Sequence, residues 1–340
     1  TVRNLIKDYE AKNPGWKVIA AINADFFDIN GNGNLPYQTT GPVVSNGEFY
    51  RTTVGYSMIG FRNDGSTESI VGNKVASRSS KMALAIYDEN DNIIKEFIID
   101  KVNEYPNDNE SSVFFATYGS DKKIIPVDVK MDGYFVDQAE LALPNSARDF
   151  YGKGVISSLN AKTISTGQFA IVSNNSEINK YLGLNVKVRV QFEYLGAYAG
   201  IKDLAGCNPV LMYDGKVLES GLRADVMTAR HPRTVIGRKA DGTIIMMVID
   251  GRQASKGMYG VDGTEISAIM QHYGAVDVYN LDGGGSSTMI IKKDGEFVVM
   301  NSPSDGRERT DANALLVVAK DPEIQVETSS ITTDSISLDV

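Results

Sequence analysis

Three apolar stretches of this chain end in residues that could do chemistry. Residues 17–22 run into Asn23-Ala24-Asp25, residues 244–249 into Asp250-Gly251-Arg252, and residues 276–279 into Asn280-Leu281-Asp282. Carboxylates and amides at the tips of buried strands are costly to desolvate unless they are paired or used. If the three strands share a sheet, their ends gather at one rim, a common place for a site on an open sheet. The competing reading is that Asp-Gly pairs only make turns. It weighs evenly for Asp250 and less for Asp282, because a turn does not need Gly283, Gly284 and Gly285 followed by Ser286 and Ser287. Consecutive glycines expose backbone N–H groups and admit a ligand close to the main chain, which suits phosphate oxygens or an oxyanion. The segment has no Gly-Lys-Ser/Thr of a P-loop, is followed by a strand rather than the helix of a dinucleotide fingerprint, and lacks the Gly-x-Ser-x-Gly spacing of a serine-hydrolase elbow.

Positive charge concentrates at Arg230-His231-Pro232-Arg233-Thr234, with Arg252 as a candidate neighbour. Guanidinium forks bind phosphate or carboxylate bidentately; a solvated loop paired with some of the 43 acidic residues is an equal alternative. His231 titrates near neutrality and is a candidate proton carrier. His272 reads as surface filler and the lone thiol, Cys207, as packing. Asp28, Asn30, Asn32 and Asn34 follow the alternate oxygen spacing of a calcium loop, but its twelfth position is Thr39, where a bidentate Glu belongs. A turn-rich loop without metal is somewhat favoured, calcium stays open as the alternative, and the residues call for no other cofactor.

The elements that must position these residues are mostly strands. Residues 2–12 read as a helix, with Val2, Leu5, Ile6 and Tyr9 on one face and Asn13-Pro14-Gly15 as the stop. Residues 66–200 read as a meander of short strands. In the last third, Asp214-Gly215, Asp241-Gly242 and Asp294-Gly295 each separate two strands. Asp262 and Glu265 form a capping box that opens a helix closed by Gly274. The expectation is an α+β fold with a mixed, largely antiparallel β core and a few flanking helices. Residues 1–320 form one catalytic domain in this reading, with 66–200 its β-rich middle. Residues 321–340 form a linker and the truncated start of a β-module.

The composition narrows the function classes. A net charge of -9 across 340 residues, without a basic stripe, argues against nucleic acid as a partner. No apolar run reaches the roughly 18 residues that span a bilayer. One cysteine allows no intrachain disulfide. The chain opens on Thr1 without a basic or apolar leader, which says nothing about compartment.

Several segments together resemble the phosphodiester glycosidase family. They are Asn23-Ala24-Asp25-Phe26-Phe27, Val43-Val44-Ser45-Asn46-Gly47, and Gly206-Cys207-Asn208-Pro209-Val210-Leu211 with Asp214-Gly215. Further along come Arg233-Thr234-Val235-Ile236-Gly237, Val248-Ile249-Asp250-Gly251-Arg252, Asn280-Leu281-Asp282-Gly283-Gly284-Gly285-Ser286-Ser287-Thr288-Met289 and Asn313-Ala314-Leu315. They follow the family's order. Asp25 stands where many members carry a small residue, and the single cysteine departs from the vertebrate enzyme's disulfides. The resemblance therefore points to a bacterial relative, extracellular or at the cell surface.

The resemblance implies hydrolysis of the glycosidic C–O bond of a sugar-1-phosphodiester, giving free sugar and a phosphomonoester. Asp250 or Asp282 would then activate water or trap the oxocarbenium centre, with His231 third in line. Arg233, Arg252 and the amides of Gly283, Gly284, Gly285 and Ser286 would meet the phosphate. Asn23, Asp25 and Asn280 would hold sugar hydroxyls or the carboxylates. Two rivals are a non-catalytic carbohydrate-binding module, with the 16 tyrosines as platforms, and a metal-dependent phosphodiesterase cutting P–O, which two histidines disfavour.

Overall fold

A computed structural model describes residues 1–320 apart from 33–36, 52–55, 73–79, 116–122, 125–130, 143–150, 166 and 195. Asn34 and the proposed module at 321–340 lie outside the described residues. Helix Val2–Lys12 is capped by Thr1, whose hydroxyl accepts from Asn4 N at 3.3 Å. Val2 and Ile6 on its inner face pack with Val18, Ala21 and Ile290 of the sheet beneath. That sheet has four strands, in the order Glu296–Val299, Met289–Lys293, Trp16–Asn23, Ala314–Lys320. Because Ala314–Lys320 runs antiparallel to Trp16–Asn23, its first residue, Ala314, pairs with Asn23. The beginning of one strand therefore lies beside the end of the other.

A second sheet has the order Lys216–Val217, Val210–Tyr213, Ala275–Asn280, Arg233–Lys239, Ile244–Ile249. Helix Gly263–His272 covers it, packing Ile266 and Met270 against Leu211, Val235 and Val278. The capping box is present in both directions: Asp262 Oδ1 accepts from Glu265 N at 2.9 Å, and Glu265 Oε2 accepts from Asp262 N at 3.0 Å. Asp214-Gly215 and Asp294-Gly295 turn their hairpins with both residues at positive φ, which matches the strand twist.

A third sheet joins Glu48–Arg51, Val43–Ser45, Asp203–Gly206, Met58–Phe61 and Ile70–Gly72, and an eight-stranded sheet is built from strands between Ser80 and Tyr194. One apolar cluster runs through the first three sheets, joining Ile22, Ile59, Ala205, Val210, Ile236 and Tyr279. Every pairing among the described residues is antiparallel except Lys101–Val102 with Ser111–Phe115. The α+β expectation holds in its broad form, but strands dominate far more than the class name conveys. One expectation changes: the three strands whose ends carry the polar residues do not share a sheet. Trp16–Asn23 belongs to the first sheet, and Ile244–Ile249 and Ala275–Asn280 to the second.

Candidate active site

Two sheets meet at Asn23, and the residue's side chain stitches them together. Its Nδ2 donates to Asp282 O at 2.7 Å, while Oδ1 accepts from Thr234 Oγ1 at 2.7 Å and from Thr288 N at 3.1 Å. The main chain adds Asp282 N to Ala24 O at 2.8 Å. On the other side, Asp25 N donates to Asn313 Oδ1 at 2.9 Å. The end of Trp16–Asn23, the glycine loop and the start of Ala314–Lys320 thus converge on one spot.

Three carboxyl groups stand there. Asp25 is 2% exposed; its Oδ2 accepts from Gly41 N at 2.8 Å, and its Oδ1 has no hydrogen-bond partner. Gly41 and Gly206 must be glycines at this point. A Cβ on Gly41 would come within 2.6 Å of Asp25 Oδ2, and one on Gly206 would run into the same oxygen. Burial pushes the Asp25 carboxyl up to about 7, with the Gly41 and Phe26 amides pulling it back and the charge of Asp282 adding to the rise. Asp311 is 8% exposed and stands beside the Ser286 hydroxyl. Burial lifts it to about 7 as well; the Ser286 hydroxyl and Arg309 temper the rise, and Asp282 adds to it. Asp282 lies electrostatically between them. Burial raises it too, against Ser286, the Gly283 N–H at 2.8 Å, Arg309 and Arg252. Carboxyls buried next to one another cannot all ionise at neutral pH.

Two guanidinium groups flank the loop that carries Asp282. Gly284, at φ +64°, lies so close to Arg252 that a Cβ would sit 2.7 Å from its Nη1. Gly285 lies against the pair formed by Arg309 and Asp305, in which Arg309 Nε donates to Asp305 Oδ2 at 2.8 Å. Arg309 Nη1 also reaches the buried Ser286 Oγ at 3.5 Å. Arg252 is exposed, sits at φ +59° and donates from Nε to His231 Nδ1 at 3.2 Å. Burial and the two neighbouring arginines, 252 and 233, push His231 below the usual imidazole range.

Other residues singled out in the sequence have partners in the scaffold. Arg233 is buried and gives its guanidinium to three carbonyls: Nε to Val261 at 3.0 Å, Nη1 to Val226 at 2.6 Å and Nη2 to Ala229 at 2.6 Å. Asp250 accepts from Asn301 Nδ2 at 3.0 Å and Ser302 N at 2.8 Å, which fastens the chain after strand Glu296–Val299. Asn280 is buried and donates from Nδ2 to Asn208 O at 2.8 Å. In the loop with calcium-like spacing, Gly31 N donates to Asp28 O at 3.2 Å, and the Thr39 hydroxyl is buried and donates to Gly41 O at 3.1 Å. Among the described residues no group of three or more His, Cys, Asp or Glu side chains is arranged to hold a metal ion. Cys207 is buried.

Sequence reasoning missed Asp305, Arg309 and Asp311. They lie in residues 302–312, a charged loop without a glycine cluster, immediately before strand Ala314–Lys320. The usable signal was the strand's beginning: polar residues ahead of an apolar run carry the same desolvation cost as those behind one.

Comparison with known proteins bears on this arrangement. The sequence pattern of the phosphodiester glycosidase family matches residues 127–318. The SPbeta prophage-derived protein YomE of Bacillus subtilis (strain 168) is 30% identical over 97 residues, which are 28% of this chain and 14% of that protein. A solved structure from Synechocystis superposes with a TM-score of 0.63 at 19% identity, over 92% of this chain and 53% of that one. One from Burkholderia pseudomallei K96243 gives 0.63 at 18%, over 92% and 68%. These two share the fold. The chain spans about half the length of the Synechocystis protein, and its match to YomE covers a much smaller part.

Proposed function

The chain belongs to the phosphodiester glycosidase family, and on that premise we propose that it hydrolyses the glycosidic C–O bond of a sugar-1-phosphodiester, releasing free sugar and a phosphomonoester. The observation that carries the reading is the group Asp25, Asp282 and Asp311 beneath the Gly283–Gly285 loop and its two arginines. The phosphoryl group lies against Arg252, Arg309 and the loop. As the C1–O bond breaks, its electron pair leaves with the phosphate oxygen, and the arginines meet the growing charge where it forms. A phosphate monoester is a far better leaving group than an alcohol, so strong protonation of the leaving oxygen is less necessary than in ordinary glycosidases.

Asp282 has a backbone N–H and both arginines in support of its ionised form. It is the carboxylate that faces the oxocarbenium centre. Asp25 and Asp311, both near 7, are matched to taking a proton from the attacking water. Asp250, which the sequence ranks beside Asp282, serves here to hold the 301–302 segment. The substrate is a glycan or sugar-phosphodiester outside the cell or at its surface, and the protein is a bacterial one.

The reading is tested on a panel of sugar-1-phosphodiesters with the wild type and Asp282→Asn. Free sugar should appear with the wild type, and kcat should fall at least about 100-fold in the variant. Sugar-1-phosphate as product would mean cleavage at P–O. Sugar binding without turnover would favour a carbohydrate-binding module.

A further inference from the structure

The two arginines over the glycine loop are held by unlike partners. Arg309 is paired with a carboxylate, Asp305, which cancels much of its charge. Arg252 makes no ion pair among the described residues; its Nε is held by the imidazole of His231. The main chain that carries the imidazole is itself fixed. His231 N donates to Val261 O at 3.2 Å and Val261 N returns the bond to His231 O at 3.1 Å. Gly260 lies against the His231 main chain, and Gly251 packs so closely that a Cβ would come within 2.8 Å of Pro232 N. Arg252 sits in the left-handed region, which a non-glycine residue adopts at a cost and which often marks functional positions. With Nδ1 accepting, the ring proton sits on Nε2. The charged groups that face the ring, Arg252 and Arg233, both oppose a second proton.

We infer that His231 is a positioning residue for anion binding: as an uncharged acceptor it holds Arg252 over Gly284, so that Arg252 meets a phosphoryl group without a carboxylate bonded to its guanidinium. The inference rests on the phosphodiester reading of the site. It removes His231 from proton transfer and divides the work between the arginines. Arg252 supplies net charge, and Arg309 supplies directed donors. A carboxylate in place of the imidazole would hold Arg252 as well but would cancel the charge that a phosphoryl group meets.

The test is calorimetric titration of the wild type and three variants with inorganic phosphate, alongside steady-state pH profiles. His231→Phe removes the acceptor and should weaken phosphate binding and raise KM about tenfold, the scale of one charge-assisted hydrogen bond. The shape of the pH profile should persist. His231→Asn, which returns an acceptor near the Nδ1 position, should recover binding to within about threefold of wild type. His231→Asp should bind phosphate at least about tenfold more weakly despite having an acceptor. Should the Phe variant not fold, the Asn and Asp pair still decides the matter. Phosphate binding unchanged in the Phe or Asp variant overturns the inference, as does a changed shape of the pH profile in the Phe variant. A wild type that turns over substrate but does not bind phosphate also overturns it. A wild type that binds phosphate but turns over no diester contradicts the proposed reaction instead and leaves the assignment of His231 to be decided by the binding comparison alone.

Discussion

Asp25→Asn should make the protein more stable above neutral pH and less active. Asp25 is 2% exposed, and its carboxyl is raised from 3.8 to about 7 chiefly by burial. A carboxyl whose pKa rises on folding favours the native state fully below its unfolded value, and that contribution is lost as pH climbs through the folded value. The window is therefore about pH 4 to 7. A shift of about three units corresponds to a cost on the order of 4 kcal/mol at pH 8 for keeping the charge buried. Asparagine keeps the shape and an acceptor for Gly41 N, and has no charge to bury. In urea titrations at pH 5 and pH 8, the variant's stability relative to wild type should rise by about 2–3 kcal/mol between the two, because about two units of the window lie above pH 5, with an unchanged m-value. The same difference at both pH values would refute the reasoning. So would a variant that loses stability relative to wild type at pH 8, since Asp25 would then be held as a stabilised anion.

Three further outcomes follow from the packing. Gly206→Ala places a methyl against Asp25 Oδ2 and should cost about 1–3 kcal/mol by thermal denaturation, with activity reduced alongside. Thr234→Val removes the hydroxyl that donates to Asn23 Oδ1 at 2.7 Å in a fully buried spot, and should cost about 1–3 kcal/mol in a denaturant titration. Arg233→Met leaves the carbonyls of Val226, Ala229 and Val261 without their donor and should cost about 3–5 kcal/mol; a well-folded variant of wild-type stability would contradict its scaffold role.

Much of the local structure was readable because it is locally encoded. The Asp262–Glu265 box, the helix over residues 2–12 and the Asp-Gly hairpins involve groups a few residues apart, and each forms where the pattern places it. The strand-end polar residues were readable as a group, but their individual roles were not. Asn23, Arg233 and Asp250 carry the residue types of a binding site, yet the first bonds three segments of scaffold, the second three carbonyls and the third a neighbouring loop. Only tertiary partners distinguish these uses. Asp311 was invisible because its surroundings come from pairing far apart in the chain, where Ala314 meets Asn23 and Asn313 accepts from Asp25 N, 288 residues away, which brings the 302–312 loop beside the Asp282 loop. Arg309 and Asp305 follow from the same pairing.

The most direct test of the proposed reaction is hydrolysis of a sugar-1-phosphodiester in water labelled with oxygen-18, with both products read by mass spectrometry. Cleavage at C1–O predicts the label on the anomeric hydroxyl of the free sugar and none in the phosphomonoester. Label in a phosphate product, with the sugar oxygen unlabelled, would mean that water attacks phosphorus and would contradict the account.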